Sequence, residues 1–349
     1  MSFKEVDQFP SPWDGFSDKF IDYLRDKPPF FSRKSIPIFW PTGVYSFGKC
    51  LRSIYSWPSF LPLPIYCDHG SFVGLYLDFH ERENIARHHL TWFKLKYQEK
   101  FNKRYLNKKL LHITSPQVEY RIKEKYIKRA NSKGSIMFIP HTAGNSEYNT
   151  NKEEWMEYLN TWINNIIETI NPEPPVVLCF HPTDLEKGYH LDLKKKFPLV
   201  TCGNGQNEDF IDRFYFIISH FNYAFGQSVG SDLFLCHELG LDYTLFGDQL
   251  EVLVTGEDFT DRSDLYFIQK EKYIREKFLF PKSYSLEDKN QRDEIINDHL
   301  GLGASKNKNK IRTIFVVDFL LLIPYSVGVN ISFFIRKLKE FFLKRIISF

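Results

Sequence analysis

Four short stretches of the 349-residue chain carry residue types that can do chemistry. His181-Pro182 follows the apolar run Val176–Phe180, and the proline biases the histidine towards an extended backbone. A histidine so placed at a strand end can hydrogen-bond or ion-pair with a phosphate. Phe225-Gly-Gln-Ser-Val-Gly-Ser-Asp232 sets Ser228, Gly230 and Ser231 ahead of the apolar Leu233–Leu239. This reads as strand, small-residue turn and helix, whose exposed N–H groups and dipole favour an anion. Ser231 serves equally as the N-cap, because capping and anion binding use the same helix end. His141-Thr142-Ala-Gly-Asn-Ser146 repeats the combination after Ser135–Ile139, as a second pocket wall or a plain connecting loop. Asp68-His69-Gly70-Ser71 offers acid/base chemistry, since Asp68 or His69 can accept a proton from a hydroxyl nucleophile. The same four residues also suit a tight turn.

The elements that must position these residues follow from the apolar pattern. Strand-length runs at 135–139, 176–180, 199–202, 223–225 and 243–246 alternate with amphipathic pieces at 153–170 and 210–221. Strands alternating with helices imply βαβ units and a parallel sheet. Ligands of open parallel sheets bind beyond the carboxyl ends of the strands, where His141, Thr142, His181, Pro182, Gly203, Ser228, Gly230 and Ser231 all fall. Upstream, strands are expected at 35–40, ending in a Pro-Thr-Gly turn, at 65–67 and at 109–114, with helices at 45–55 and 118–130. Residues 78–105 read as a charged helical or mobile surface segment, with His88-His89 on a solvated face. Asn131–Gly134 reads as a linker between two α/β halves, 1–130 and 131–310. Residues 249–310 are charged and less regular, with a flexible turn expected at 306–310.

The C-terminal piece, 311–349, changes character. Thr313–Ile323 is apolar apart from Asp318, and is too short to span a bilayer. Ile335, Leu338, Phe342, Ile346 and Phe349 recur at spacings of three and four, with Arg336, Lys337, Lys339, Lys344 and Arg345 between them. A basic amphipathic helix of this kind lies on an anionic membrane surface or packs back on its own domain.

Composition excludes several classes. Net charge is +3, which carries no nucleic-acid signature. Five cysteines without a CxxC pair argue against a disulfide framework and for a reducing compartment. Met1–Asp7 lacks a charged-then-apolar leader, so a cytoplasmic location is expected, peripheral on the inner face of the membrane if the tail binds there. HExxH, Walker, GxGxxG and GxSxG patterns are absent from the sequence, as is a DxD pattern of the kind that holds a metal on a sugar diphosphate. No cofactor and no metal is therefore expected.

Together, Asp68-His69-Gly70, His181-Pro182 and Ser228-Val-Gly-Ser231 resemble the motifs of GT-B glycosyltransferases, in particular the bacterial sialyltransferases and Kdo transferases of capsule and lipooligosaccharide synthesis. The resemblance covers roughly residues 60–247. It implies two Rossmann-like domains facing a cleft, with a CMP-activated sugar as donor and a glycan or lipid-linked glycan as acceptor. It implies that Asp68 or His69 is the general base, that His181 contacts the donor phosphate, and that Ser228 and Ser231 bind the same phosphate. The acidic motif departs from the family pattern, with a histidine in its middle position. The His69-Gly70 pair is also similar to the His-Gly of the CDP-glycerol phosphotransferases, which share the plan and a His-Pro motif.

Overall fold

The computed structural model describes residues 9–27, 39–68, 85–92, 109–142, 151–248, 265–304 and 307–323. Two parallel sheets organise them, which makes this an α/β protein. The first sheet runs β1 (Tyr66–Cys67), β2 (His88–Thr91), β3 (Lys109–His112) in that order. The second contains β4 (Ser135–Phe138), β5 (Val176–Cys179), β6 (Leu199–Val200), β7 (Tyr223–Gly226) and β8 (Asp242–Leu245) in the order β6-β5-β4-β7-β8. The helices are α1 (Asp18–Arg25), α2 (Phe47–Tyr55), α3 (Pro116–Glu124), α4 (Lys152–Ile170), α5 (Pro182–Glu186), α6 (Phe210–Ile218), α7 (Ser231–Leu239), α8 (Leu265–Phe278), α9 (Leu286–Leu300) and α10, residues 308–323.

The second sheet takes its form from strands buried on both faces. Such strands read as unbroken apolar runs rather than alternations. Ser135 of central β4 pairs with Val176 on one side and Tyr223 on the other. The chain therefore leaves β4 to build one half of the sheet and returns beside β4 to build the other. Order reverses between β4 and β7, and a ligand crevice opens at the carboxyl ends of such a pair. On α4, Trp155, Leu159, Trp162, Ile163 and Ile166 form the buried face. Its start is set by Asn151, whose side chain accepts from the N–H groups of Glu153 and Glu154 at 3.1 and 3.2 Å. Helix α6 is buried all round from Ile211 to Ile218.

The two sheets share one apolar core, which runs from Phe16 through Phe47 and Trp92 to Phe214 and Phe315. The joint also has a polar centre. Asp212 of α6, fully buried, accepts from Lys49 Nζ at 2.5 Å, Tyr120 Oη at 2.9 Å and Tyr126 Oη at 2.7 Å. Ser46 Oγ donates to the Glu208 carbonyl at 2.8 Å.

Several local expectations need correction. His88-His89 is not a solvated face but half of strand β2, with His88 Nδ1 2.7 Å from Asp318 Oδ2 and His89 Nε2 2.6 Å from Asp68 Oδ1. Asn131–Gly134, read as a linker, does lead from α3 into β4, and it is hydrogen-bonded: Lys133 N donates to the His220 carbonyl at 2.9 Å and Ser132 Oγ to Asn222 Oδ1 at 2.8 Å. The stretch read as irregular carries α8 and α9; Ser285 caps α9 by accepting from Asp288 N at 3.1 Å. Residues 308–310 open α10 instead of forming a turn. Trp40–Gly43 is a 3-10 turn, and residues 35–38 lie outside the described residues. The basic helix ends early, at Glu124, because Lys125 takes a left-handed conformation. All five cysteines are free and buried. Among the described residues no helix is long and apolar enough to cross a membrane, and the basic tail at 336–349 lies outside them.

Candidate functional site

Adjacent strands β4 and β5 bring His141 and His181 together. Their rings stack with centroids 4.6 Å apart and planes 27° apart. His181 is the N-cap of α5, with Pro182 at the first helical position, where a missing N–H costs nothing. The Thr183 N–H donates to His181 Nδ1 at 3.2 Å. That bond places the ring proton of neutral His181 on Nε2, so the side chain presents a single N–H donor. Burial, and then the nearby His141, pull the His181 pKa down to about 3. The residue acts as a hydrogen-bond donor and not as a resident cation.

His141 is exposed, whereas Thr142 beside it is buried. The Thr142 hydroxyl donates to Asp184 Oδ1 at 2.6 Å, and Lys187 Nζ donates to that hydroxyl at 2.7 Å. The Thr142 N–H adds a second bond to the same carboxylate at 3.1 Å. The hydroxyl proton of Thr142, expected in a second pocket wall or a plain connecting loop, is thus directed to Asp184. Asp184 is fully buried, and its Oδ2 accepts no hydrogen bond among the described residues. Burial raises its pKa, while Thr142, His141 and Lys187 oppose the rise. The Lys187–Thr142–Asp184 chain braces the backbone on which His141 and His181 stand.

Across the sheet's reversal point lies the turn after β7. Gly230, not Ser231, is the N-cap of α7, and it has no side chain to offer; Ser231 is the first helical residue. The Asp232 carboxylate, in the first turn of α7, accepts from the Tyr243 hydroxyl. Burial raises the Asp232 pKa, and the Tyr243 hydroxyl, the backbone N–H groups of Asp232 and Leu233 and the charge of His141 act against the rise. An internal carboxylate thus occupies part of the anion position at α7. Gly226 and Gly230 make room for it: a Cβ on Gly226 would collide with the Tyr243 hydroxyl, and one on Gly230 would stand 2.5 Å from Asp232 Oδ1. Ser228 is exposed at the tip of the turn.

Gly203 holds a φ of +82° and a Cβ there would lie 2.9 Å from the Leu24 carbonyl, so α1 packs closely against the turn after β6. Pro182 is buried at the first helical position of α5. The second sheet thus gathers His141, His181 and, through its charge on both, the carboxyls of Asp184 and Asp232. Asp184 and Asp232 stand beside residues the motifs singled out, but a carboxylate read alone resembles any surface acid.

The first sheet places Asp68 directly after β1. Its N–H donates to the Leu90 carbonyl at 3.1 Å, and its Oδ1 meets buried His89. Among the described residues, Asp68 Oδ2 has no hydrogen-bond partner. His112, at the end of β3, is bonded to the Trp92 backbone and is lowered in pKa by burial, with Asp68 acting against the shift. Register aligns Tyr66 with His89 and Thr91 with His112, so Asp68, His89 and His112 share one face of the sheet. His69 lies outside the described residues. His89, 21 residues from its carboxylate, could not be found by motif.

Neutral buried histidines set an acid limit on the fold. His181 falls to about 3, His220 to about 4 and His299 to about 4, each chiefly by burial. Below the ordinary value of 6.5 the unfolded chain takes up protons that the folded chain refuses, so stability is complete above that pH and declines as pH falls. The expected loss between pH 6.5 and 4 is on the order of a few kcal/mol. Asp184 and Asp232, raised by burial, act in the opposite sense. The readout is therefore the slope of the urea midpoint against pH, which His299→Gln should make shallower; an identical slope would remove His299 from the account.

Comparison with known protein families, with curated proteins and with solved structures finds no match to this chain.

Proposed function

We propose that the chain is a glycosyltransferase of GT-B plan that moves a sugar from a nucleotide-activated donor, a CMP-sugar by preference, to a glycan acceptor of bacterial surface polysaccharide. The observation that carries the reading is the stacked His141–His181 pair beside the strand-order reversal of a doubly wound parallel sheet. In this reading the donor's phosphate lies against His181 Nε2–H and His141, with Ser228 closing from the opposite turn. These donors stabilise the negative charge that grows on the departing nucleotide. Asp68, oriented by His89, takes the proton from the acceptor hydroxyl as that oxygen bonds to the sugar carbon. The two halves face one another across the acceptor's cleft, and the basic segment 336–349 keeps the enzyme at the inner face of the membrane.

The test is thermal denaturation with CMP, CDP and UDP, all at one concentration, set at about 100 times the dissociation constant for CMP. A bound nucleotide adds about 2.7 kcal/mol, or about 4 °C in Tm for a chain of this length. CMP is expected to give the largest rise. A rise with CDP and turnover of a CDP-polyol would convert the reading to polyol-phosphate transfer. No rise with any nucleotide would leave an α/β binding or scaffold protein.

A further inference from the structure

Helix α10 is apolar on two opposite faces. Inward, Ile311, Phe315, Asp318 and Leu322 are buried. The Phe315 ring meets Tyr55 and Trp57 at 5.3 and 5.7 Å, and the Phe319 ring meets Trp57 at 5.7 Å. Asp318, the one charge inside the apolar run, turns into the protein and bonds His88. Outward, Val316, Val317, Leu320, Leu321 and Ile323 are 49, 44, 59, 55 and 39 % exposed. A helix on the surface of a water-soluble fold carries its apolar stripe on the core side only. Here the side facing away from the core is apolar too, and Lys308, Lys310 and Arg312 stand exposed at its N-terminal end. Lys308 also reaches Glu119 Oε2 at 3.9 Å.

We propose that the outward face of α10 rests on an anionic phospholipid surface. Val316, Val317, Leu320, Leu321 and Ile323 enter the boundary between headgroups and acyl chains, and Lys310 and Arg312 face lipid phosphates. Charge selects this occupant over two others. A second copy would bring an outward face that holds no acid to pair with these cations. The chain's own residues 324–349 carry Arg336, Lys337, Lys339, Lys344 and Arg345 against a single acid, Glu340, so folding them over the stripe would set like charges together. Anionic lipid supplies both the apolar medium and the counter-charge. The surface is separate from the histidine site and does not depend on the transferase reading.

Flotation of the full-length protein with phosphatidylcholine vesicles, with and without about 30 % phosphatidylglycerol, tests this. The protein is expected to float with the anionic vesicles, and Leu320→Glu/Leu321→Glu to reduce that partition by about tenfold or more, with Tm unchanged because both side chains already face outward. Lys337→Glu/Lys339→Glu, made in the same full-length chain, reports the tail's share separately. Equal flotation of the Leu double variant and the wild type would overturn the proposal. So would wild type that floats with neither vesicle, or a fall in Tm in the Leu double variant, which would mean that protein covers the stripe. The nucleotide-induced rise in Tm, read on the same variant, keeps failure here distinct from failure of the site.

Discussion

Asp212→Ala should lower the unfolding free energy by about 3–5 kcal/mol, the cost of breaking a buried charge pair by removing one member. Asp212 is fully buried and serves three donors at once, Lys49, Tyr120 and Tyr126. Alanine would leave two phenolic hydroxyls without an acceptor, and Lys49 with only the half-exposed Asp209 at 2.7 Å. Neither tyrosine can relieve the loss by ionising. Burial, and then Asp212 itself, push both phenols far above their ordinary range, so they remain donors at every working pH. The urea midpoint should fall with the slope m unchanged, since the native surface is not otherwise altered. Asp212→Asn retains one carbonyl acceptor and should cost less than alanine. Tyr120→Phe combined with Asp212→Asn should cost less than the sum of the two changes, because they share a bond. A loss under about 1 kcal/mol for Asp212→Ala would mean that water reaches the three donors and that the cluster is not what joins the sheets.

The second large effect is expected at His181. Loss of a donor that meets developing charge costs about 10²–10³ in kcat. Alanine alone cannot isolate that role, because His181 is also the N-cap of α5 through its bond from the Thr183 N–H. Removing a cap costs about 0.5–2 kcal/mol in stability. His181→Asn separates the two functions. Asparagine is a strong N-cap and can accept the same N–H, but its amide is too short to place a donor where Nε2–H stands. Tm should therefore hold in His181→Asn while CMP no longer raises it and turnover falls at least a hundredfold, roughly the lower bound for one lost donor. A CMP-induced rise in Tm equal to that of the wild type would take His181 out of the ligand site and leave it a cap.

The α/β class and the second sheet were legible in the residues. β4, β5 and β7 fall within a residue or two of the apolar runs that announced them, because a strand buried on both faces has to be apolar at every position. Helix α4 was legible for the same kind of reason: one wet face and one dry face repeat at the helical period. Strand β2 was not. Four residues are too few to show a period, and two histidines in a charged stretch look solvated until Asp68 and Asp318 are seen beside them. Helices α8 and α9 were hidden by sparse apolar anchors, with Ile274, Phe278, Ile295, Ile296 and Leu300 carrying their burial amid long charged runs.

Of the candidate site, the sequence by itself determined that histidines and small residues follow successive parallel strands, since that is local information written in runs of four to six residues. Tertiary structure alone decided which of them meet. It stacked His141 on His181, assigned Thr142 to Asp184, filled the space at Gly203 with α1, and set Asp232 at the end of α7. It also turned Asp212, an acid with nothing to distinguish it in the chain, into the buried centre of a joint whose cation lies 163 residues away. The physical reason is the same throughout: apolar periodicity is set by each element's own two faces, whereas a polar side chain's role depends on partners that only the packing of distant elements supplies.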